Sequence, residues 1–223
     1  MATSDERRAL VVRGGWDGHV PVEATDRFIP FLRDNGFQVK TSETLDVYAD
    51  QAAMADLDLI VQCWSMGSAT DAEIDGLIGA VRSGTGFAGW HGGIVDAFRL
   101  STRYLQMTGG QFAEHPGGFV DYEVEVVPER AGHPIVAGLP AKWSLHTEQY
   151  WMLTDPLSDV LATTRFRATE ATDWRADVVV PAVWTRQWGQ GKIFISTVGH
   201  KLDDLDHPDV RTLTERGLLW AAR

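Results

Sequence analysis

The 223-residue sequence has a single cysteine, Cys63. It forms no internal disulfide, which fits a reducing compartment. Positive charge is also scarce: 20 Lys and Arg stand against 31 Asp and Glu, a net charge of −11. A field of that sign repels phosphate backbones and anionic bilayers, so neither nucleic acid nor a membrane surface is an expected partner. Long apolar runs are missing, far short of the roughly 20 residues of a membrane helix. The start, Met1-Ala-Thr-Ser-Asp-Glu-Arg-Arg8, is polar and reads as carrying no secretory segment. Repeats, low-complexity tracts and linkers are absent too. With 44% hydrophobic and 23% charged residues, the composition is that of a folded protein rather than a disordered one. The expectation is one domain over residues 1–223, acidic and cytoplasmic, with a homo-oligomer left open.

Several ligand signatures are missing as well. Arg13-Gly-Gly-Trp-Asp-Gly18 lacks the G-x-G-x-x-G spacing, and Trp16 would obstruct a pyrophosphate. No G-x-x-x-x-G-K-[ST] phosphate loop occurs. Neither H-x-x-x-H nor C-x-x-C occurs, so the spacing makes a divalent metal such as zinc the weaker reading.

What is present is an alternation of two periodicities. Ala9-Leu-Val-Val12 reads as a buried strand. Val22, Phe28, Phe31 and Leu32 are spaced for one face of a helix that stops at Asn35-Gly36. Phe37-Gln-Val39 and Leu57 to Cys63 give further strands. Thr70-Asp-Ala-Glu73 is a capping box, opening a helix with Ile74, Leu77, Ile78 and Val81 on one face. Gly86 to Trp90 reads as a fourth strand, and Val95 to Met107 as the next helix. The second half differs. Tyr122 to Val127 alternates like an antiparallel or edge strand. Val178 to Trp184 and Lys192 to Thr197 flank Gly189-Gln-Gly191 like a hairpin, and a final helix starts near His207-Pro208. This order predicts a flavodoxin-like three-layer α/β fold, with a mainly parallel sheet and antiparallel additions in the second half.

Ligands of such sheets bind beyond the carboxyl ends of the strands. Three of the nine tryptophans, Trp16, Trp64 and Trp90, fall at those ends. Indole faces pack against the C–H faces of sugars, so these three are expected to line a carbohydrate-sized pocket, unless they are simply large core aromatics. His19 and His91 lie at strand ends, and His200 follows a strand across Gly199. With Glu148 they suit general acid–base work, since imidazole titrates near neutrality and a carboxylate completes a relay. His115 reaches toward the pocket from a loop. His133-Pro134 and His207-Pro208 read as a turn and a helix start, and Cys63 as a buried, inert thiol.

An ordered set of segments adds a resemblance. It comprises Gly18-His19, Gly86-Phe-Ala-Gly-Trp-His-Gly-Gly93, Gly132-His-Pro-Ile-Val-Ala-Gly138, Glu148-Gln-Tyr150, Pro181-Ala-Val-Trp184, Gly189-Gln-Gly-Lys-Ile-Phe194, Gly199-His200 and His207-Pro to Trp220-Ala221. Together they make the chain similar to the ThuA-like (trehalose-utilisation) proteins of the class I glutamine-amidotransferase-like superfamily. The resemblance implies the same flavodoxin-like fold, a link to trehalose-related disaccharides or their keto-sugars, and His19, His91, Glu148 and His200 as matched polar positions. It also implies an elbow at Gly89-Trp-His-Gly-Gly93, where amidotransferases place a nucleophilic cysteine and this chain has His91. Imidazole replaces a thiolate poorly there, which argues against glutamine hydrolysis. The resulting expectation is keto-sugar isomerisation or elimination by histidine and carboxylate. The alternatives are a non-catalytic sugar-binding or regulatory module and a metal-dependent small-molecule hydrolase.

Overall fold

A computed structural model describes residues 7–223; residues 1–6, most of the polar start read above, lie outside the described residues. In chain order the elements begin with β1 (Arg7–Gly15), α1 (Pro21–Asp26), α2 (Ile29–Asp34), β2 (Phe37–Ser42), α3 (Gln51–Met54), β3 (Leu59–Ser65), α4 (Asp71–Arg82) and β4 (Gly86–Trp90). Next come α5 (Gly92–Val95), α6 (Thr102–Thr108), β5 (Gly110–Glu114), β6 (Phe119–Val126), β7 (Lys142–Glu148) and β8 (Trp151–Thr154). The last are β9 (Asp159–Phe166), β10 (Val178–Trp188), β11 (Gly191–Ser196), α7 (Leu202–Asp206) and α8 (Pro208–Ala221).

Nine strands form one sheet in the order β2-β1-β3-β4-β11-β10-β9-β6-β7, and β5 pairs with β8 apart from it. From β2 to β11 every pairing is parallel. From β11 to β7 every pairing is antiparallel. The parallel half has the 2-1-3-4-5 order of flavodoxin-like sheets. Its central strands are apolar on both faces, as β3 (Leu-Ile-Val-Gln-Cys-Trp-Ser) and β4 (Gly-Phe-Ala-Gly-Trp) show, because helices cover both sides. One core lies between the sheet and α1, α2 and α8, with Phe28, Leu32, Trp90, Phe194 and Leu213. The other lies under α4 to α6, with Tyr48, Leu77, Phe87, Tyr104 and Trp184.

The Thr70–Glu73 capping box is made in both directions and starts α4, whose Ile74, Leu77, Ile78 and Val81 are buried. The Gly189–Gln190 turn joins β10 to β11, with Trp188 opposite Gly191. His207 caps α8 by accepting from the Asp209 backbone N–H (3.3 Å), and Pro208 opens that helix. Tyr122, Val124 and Val126 face inward, but β6 lies between β9 and β7, so it is an interior strand and β7 is the edge.

Two expected helices are broken. The segment from Val22 to Leu32 forms α1 and α2, with Arg27–Phe28 between them. Pro30 lacks an N–H and cannot follow four helical residues in register, so the helix restarts with the proline in its first turn. Val22 is exposed as a result, whereas Phe28 and Leu32 are buried. The segment from Val95 to Met107 ends one helix and later begins another. Between them the chain turns back to β3: Met66 N–H donates to Asp96 O (3.0 Å), Phe98 N–H donates to Met66 O (3.3 Å), and Phe98 takes a positive φ of 49°. Two bonds to the end of β3 hold a geometry that no continuous helix could reach.

Candidate functional site

The carboxyl ends of β1, β3, β4 and β11 sit side by side, and each delivers one polar side chain to the same point. Beyond β1 a tight turn over Asp17–His19 presents His19, whose Nδ1 lies 2.6 Å from Ser65 Oγ at the end of β3. Beyond β4 comes His91, with φ 48° and ψ −145°, a strained conformation for a residue with a Cβ. Its backbone N–H donates to Ser196 O (2.7 Å), and its Nδ1 lies 2.8 Å from Thr197 O. Beyond β11 the chain turns at Gly199 (φ 126°), where an added Cβ would meet Leu205 at 2.7 Å, and emerges as His200. From the antiparallel half, the end of β7 supplies Glu148.

Glu148 is the hub of the arrangement. Its Oε2 lies 3.2 Å from His91 Nε2 and 3.1 Å from His200 Nδ1, and its Oε1 lies 3.7 Å from His115 Nε2. The rings of His19, His91 and His200 stand nearly edge to face, with centroids 4.8, 5.1 and 5.3 Å apart. Burial, reinforced by His91 and His200, pushes the His19 pKa down to about 3. Burial also lowers that of His91, against the pull of Glu148 and Thr197. For Glu148, burial opposes the charge, but His200 and His91 outweigh it and hold the carboxyl below its ordinary range. The centre is thus two neutral imidazoles, a third imidazole and one anion.

All four residues expected to act together therefore converge, and His115 joins them from the loop after β5. The tryptophans do not behave as one set. Trp16 is 46% exposed and sets its ring edge on His19, with centroids 4.7 Å apart. Trp90 is 1% exposed and packs on Phe28 in the core (4.9 Å), so it lines no pocket. Trp64 packs over Gly14, whose Cβ would fall 2.6 Å from its ring. The reason is strand alternation: Ser65 and His91 point into the site, so their predecessors Trp64 and Trp90 point away.

Two aromatic residues were missed. Tyr150 stacks on His91 (3.9 Å, 28°), and burial together with Glu148 keeps its phenol protonated. Phe119, 47% exposed, stands edge-on to His200 at 5.0 Å. Trp16 and Phe119 thus flank the imidazoles. The proximity of Tyr150 to Glu148 in sequence could have flagged the first; nothing in the sequence marks Phe119. Cys63 lies buried beneath α5, and burial pushes its thiol up to about 12, so it is no nucleophile. His133 accepts from the Ile135 N–H in a turn, and His146 pairs with Asp121 at the surface.

Gly92 makes the convergence sterically feasible. A Cβ there would sit 2.3 Å from His19 Cε1 and 3.1 Å from Tyr150 Oη. Gly92→Ala should displace His19 from Ser65 and lower turnover on the order of 10²-fold, the scale of an ångström's misplacement. Steady-state kinetics on the folded variant would show this; unchanged kcat would mean that His19 need not hold its place.

A flavodoxin-like sheet with a polar centre at the carboxyl ends of its strands defines a ligand-handling α/β protein. The family model ThuA, described as trehalose utilisation, matches residues 8–221, and the chain belongs to that family. Membership supports a role in sugar metabolism. Similar solved structures include ThuA-like proteins from Parabacteroides merdae ATCC 43184 and Bacteroides uniformis ATCC 8492. The first is 18% identical with a TM-score of 0.75, covering 97% of this chain and 90% of that one. The second is 19% identical with a TM-score of 0.74, covering 100% and 91%. A cytoplasmic protein from Salmonella typhimurium LT2 is 14% identical, with a TM-score of 0.66 and coverage of 97% and 100%. At these identities the likeness concerns the fold. No curated protein matches the sequence. Among the described residues, no helix is long and apolar enough to cross a membrane.

Proposed function

We propose that this protein is an enzyme of sugar metabolism that acts on a trehalose-related disaccharide or its keto-sugar, by proton transfer next to the carbonyl. The observation that carries this reading is the convergence of His19, His91, His200 and Glu148 between two exposed aromatic rings. Trp16 and Phe119 offer apolar faces for a pyranose, and the polar centre between them meets its oxygens.

For a 3-keto disaccharide, the C2–H bond breaks and its proton passes to an imidazole at the mouth. Its electron pair moves toward the C3 oxygen, giving an enediolate. His200 and His115 are the imidazoles with access; the side chain of His115 is 37% exposed. Glu148 stays ionised and balances the imidazolium as it forms, so it orients and stabilises rather than carrying the proton itself. Reprotonation at the neighbouring carbon completes an isomerisation. Alternatively, the C1–O bond breaks and the imidazolium protonates the departing oxygen, which is an elimination. The elbow carries His91, and the only thiol is buried elsewhere, so no cysteine-dependent glutamine hydrolysis is proposed.

Incubation with 3-keto-trehalose in deuterated buffer should place deuterium at C2, followed by isomerised or cleaved sugar, as read by NMR. Trp16→Ala should raise KM roughly 2- to 12-fold, the 0.5–1.5 kcal/mol scale of an aromatic contact. Absence of exchange, isomerisation and cleavage would sink the reading.

A further inference from the structure

We infer that His19, His91, His200 and Glu148 form a binding site for one divalent transition-metal ion, of which zinc is the natural probe. The inference deepens the reading of the same centre and takes from it only the centre's location.

The donor set comes first. Three imidazole nitrogens and one carboxylate oxygen, drawn from four separate chain segments, all lie within 4.8 Å of one another. Ligands at about 2.1 Å from a zinc-sized ion can be at most about 4.2 Å apart, so the longest pair needs to close by about half an ångström. Imidazole with carboxylate suits zinc and its first-row neighbours, whereas calcium and magnesium prefer oxygen throughout.

The second argument concerns protons. The Thr197 carbonyl can only accept, so His91 Nδ1, 2.8 Å away, carries the ring hydrogen. His91 Nε2 then presents a lone pair to Glu148 Oε2 at 3.2 Å. Two acceptors facing each other require a positive centre between or beside them. A cation satisfies His91 and Glu148 together.

The third is an orphan. His200 Nδ1 is buried, and its one near neighbour is Glu148 Oε2 at 3.1 Å, itself an acceptor already facing His91. A buried nitrogen of this kind is uncommon in a finished structure, and an ion shared with Glu148 would satisfy it. The surroundings complete the pattern. Ser65 holds the far nitrogen of His19, and the Thr197 carbonyl holds that of His91, as outer partners do for metal-bound histidines.

The ion would stand beneath the gap between Trp16 and Phe119, with a free position for a sugar oxygen. It would supply the positive charge that an enediolate beside Glu148 needs. His115 stays outside the set and keeps the proton role proposed above.

The test uses chelator-stripped full-length protein titrated with Zn²⁺ by calorimetry and with Co²⁺ by visible absorption. One equivalent per chain is expected, with the intense visible bands of four- or five-coordinate cobalt. His200→Ala and Glu148→Gln should each weaken binding by more than the roughly 10–100-fold that loss of an outer partner costs, and Ser65→Ala by an amount within that range. His146→Ala, on the surface, should leave binding unchanged. Circular dichroism on each variant separates lost binding from lost fold. Sub-stoichiometric zinc, or binding that ignores His200 and Glu148 in folded variants, overturns the inference. Deuterium exchange by stripped protein that binds no zinc would overturn it too, while upholding the keto-sugar reading. Stoichiometric zinc without any sugar chemistry upholds the ion site and removes the keto-sugar instead.

Discussion

Glu148→Gln should lower kcat by about 10²–10⁴-fold while the protein stays folded, the scale expected when general acid–base catalysis is lost. The substitution keeps the shape of the side chain and removes its charge. Among the described residues, Glu148 is the one carboxylate within 4 Å of three imidazoles, those of His91, His200 and His115. Without it, an imidazolium formed by proton abstraction has no counter-charge in a mostly buried site, where an unpaired charge is costly. The fold should survive because the amide can donate to the His91 nitrogen that now faces the carboxylate. Removing the charge lifts its desolvation cost but also gives up the larger pull of His200 and His91, so a modest loss of stability is expected. Turnover should therefore part company with thermal melting and circular dichroism, Tm falling only slightly while activity collapses. A variant retaining a tenth or more of the activity would show that Glu148 is only a structural anion.

The chemistry-bearing residues were legible because each marks a backbone event. His19, His91 and His200 stand where a strand ends and glycines let the chain turn, and in a parallel sheet such ends share one edge. Three distant histidines thus became neighbours once the strand order was read. Glu148 was legible as a carboxylate able to complete the relay, but its place beside the histidines was not, since it arrives on an antiparallel strand whose position no local rule fixes. The metal reading ranked low in the sequence because ligand spacing is informative only when ligands share one helix or loop; here four segments contribute one donor each. The misread helices have a comparable origin. Periodicity from Val22 to Leu32 is real, but Pro30 interrupts it, and the turn at Asp96–Phe98 depends on bonds to Met66, some thirty residues earlier. The tryptophans fail for a different reason. Their positions along the chain are at the rim, but alternate side chains of a strand face opposite ways, so a residue at the right end still has even odds of facing the core.

That last point makes Trp90 the sharpest stability test. Trp90→Ala should destabilise the protein by about 3–5 kcal/mol, the usual cost of removing a large buried aromatic side chain. Against a typical total of about 5–15 kcal/mol, that is a large share, and it corresponds to a fall in Tm of roughly 6–20 °C. The ring packs on Phe28 at the corner between α1 and α2, and Gly199 passes so close that a Cβ there would lie 3.0 Å from the indole. Its loss would leave a cavity joining the sheet to both the α1–α2 corner and the turn before His200. Trp16→Ala should do the opposite. Its ring is half in solvent, so stability should change by less than about 1 kcal/mol, while sugar affinity falls. Urea unfolding and sugar titration on the two variants would give a crossed result, Trp90 moving the midpoint and Trp16 the affinity. If Trp90→Ala kept its midpoint and lost affinity for the sugar, the ring would belong to the binding surface after all, and the alternation of side chains along β4 would have to be redrawn.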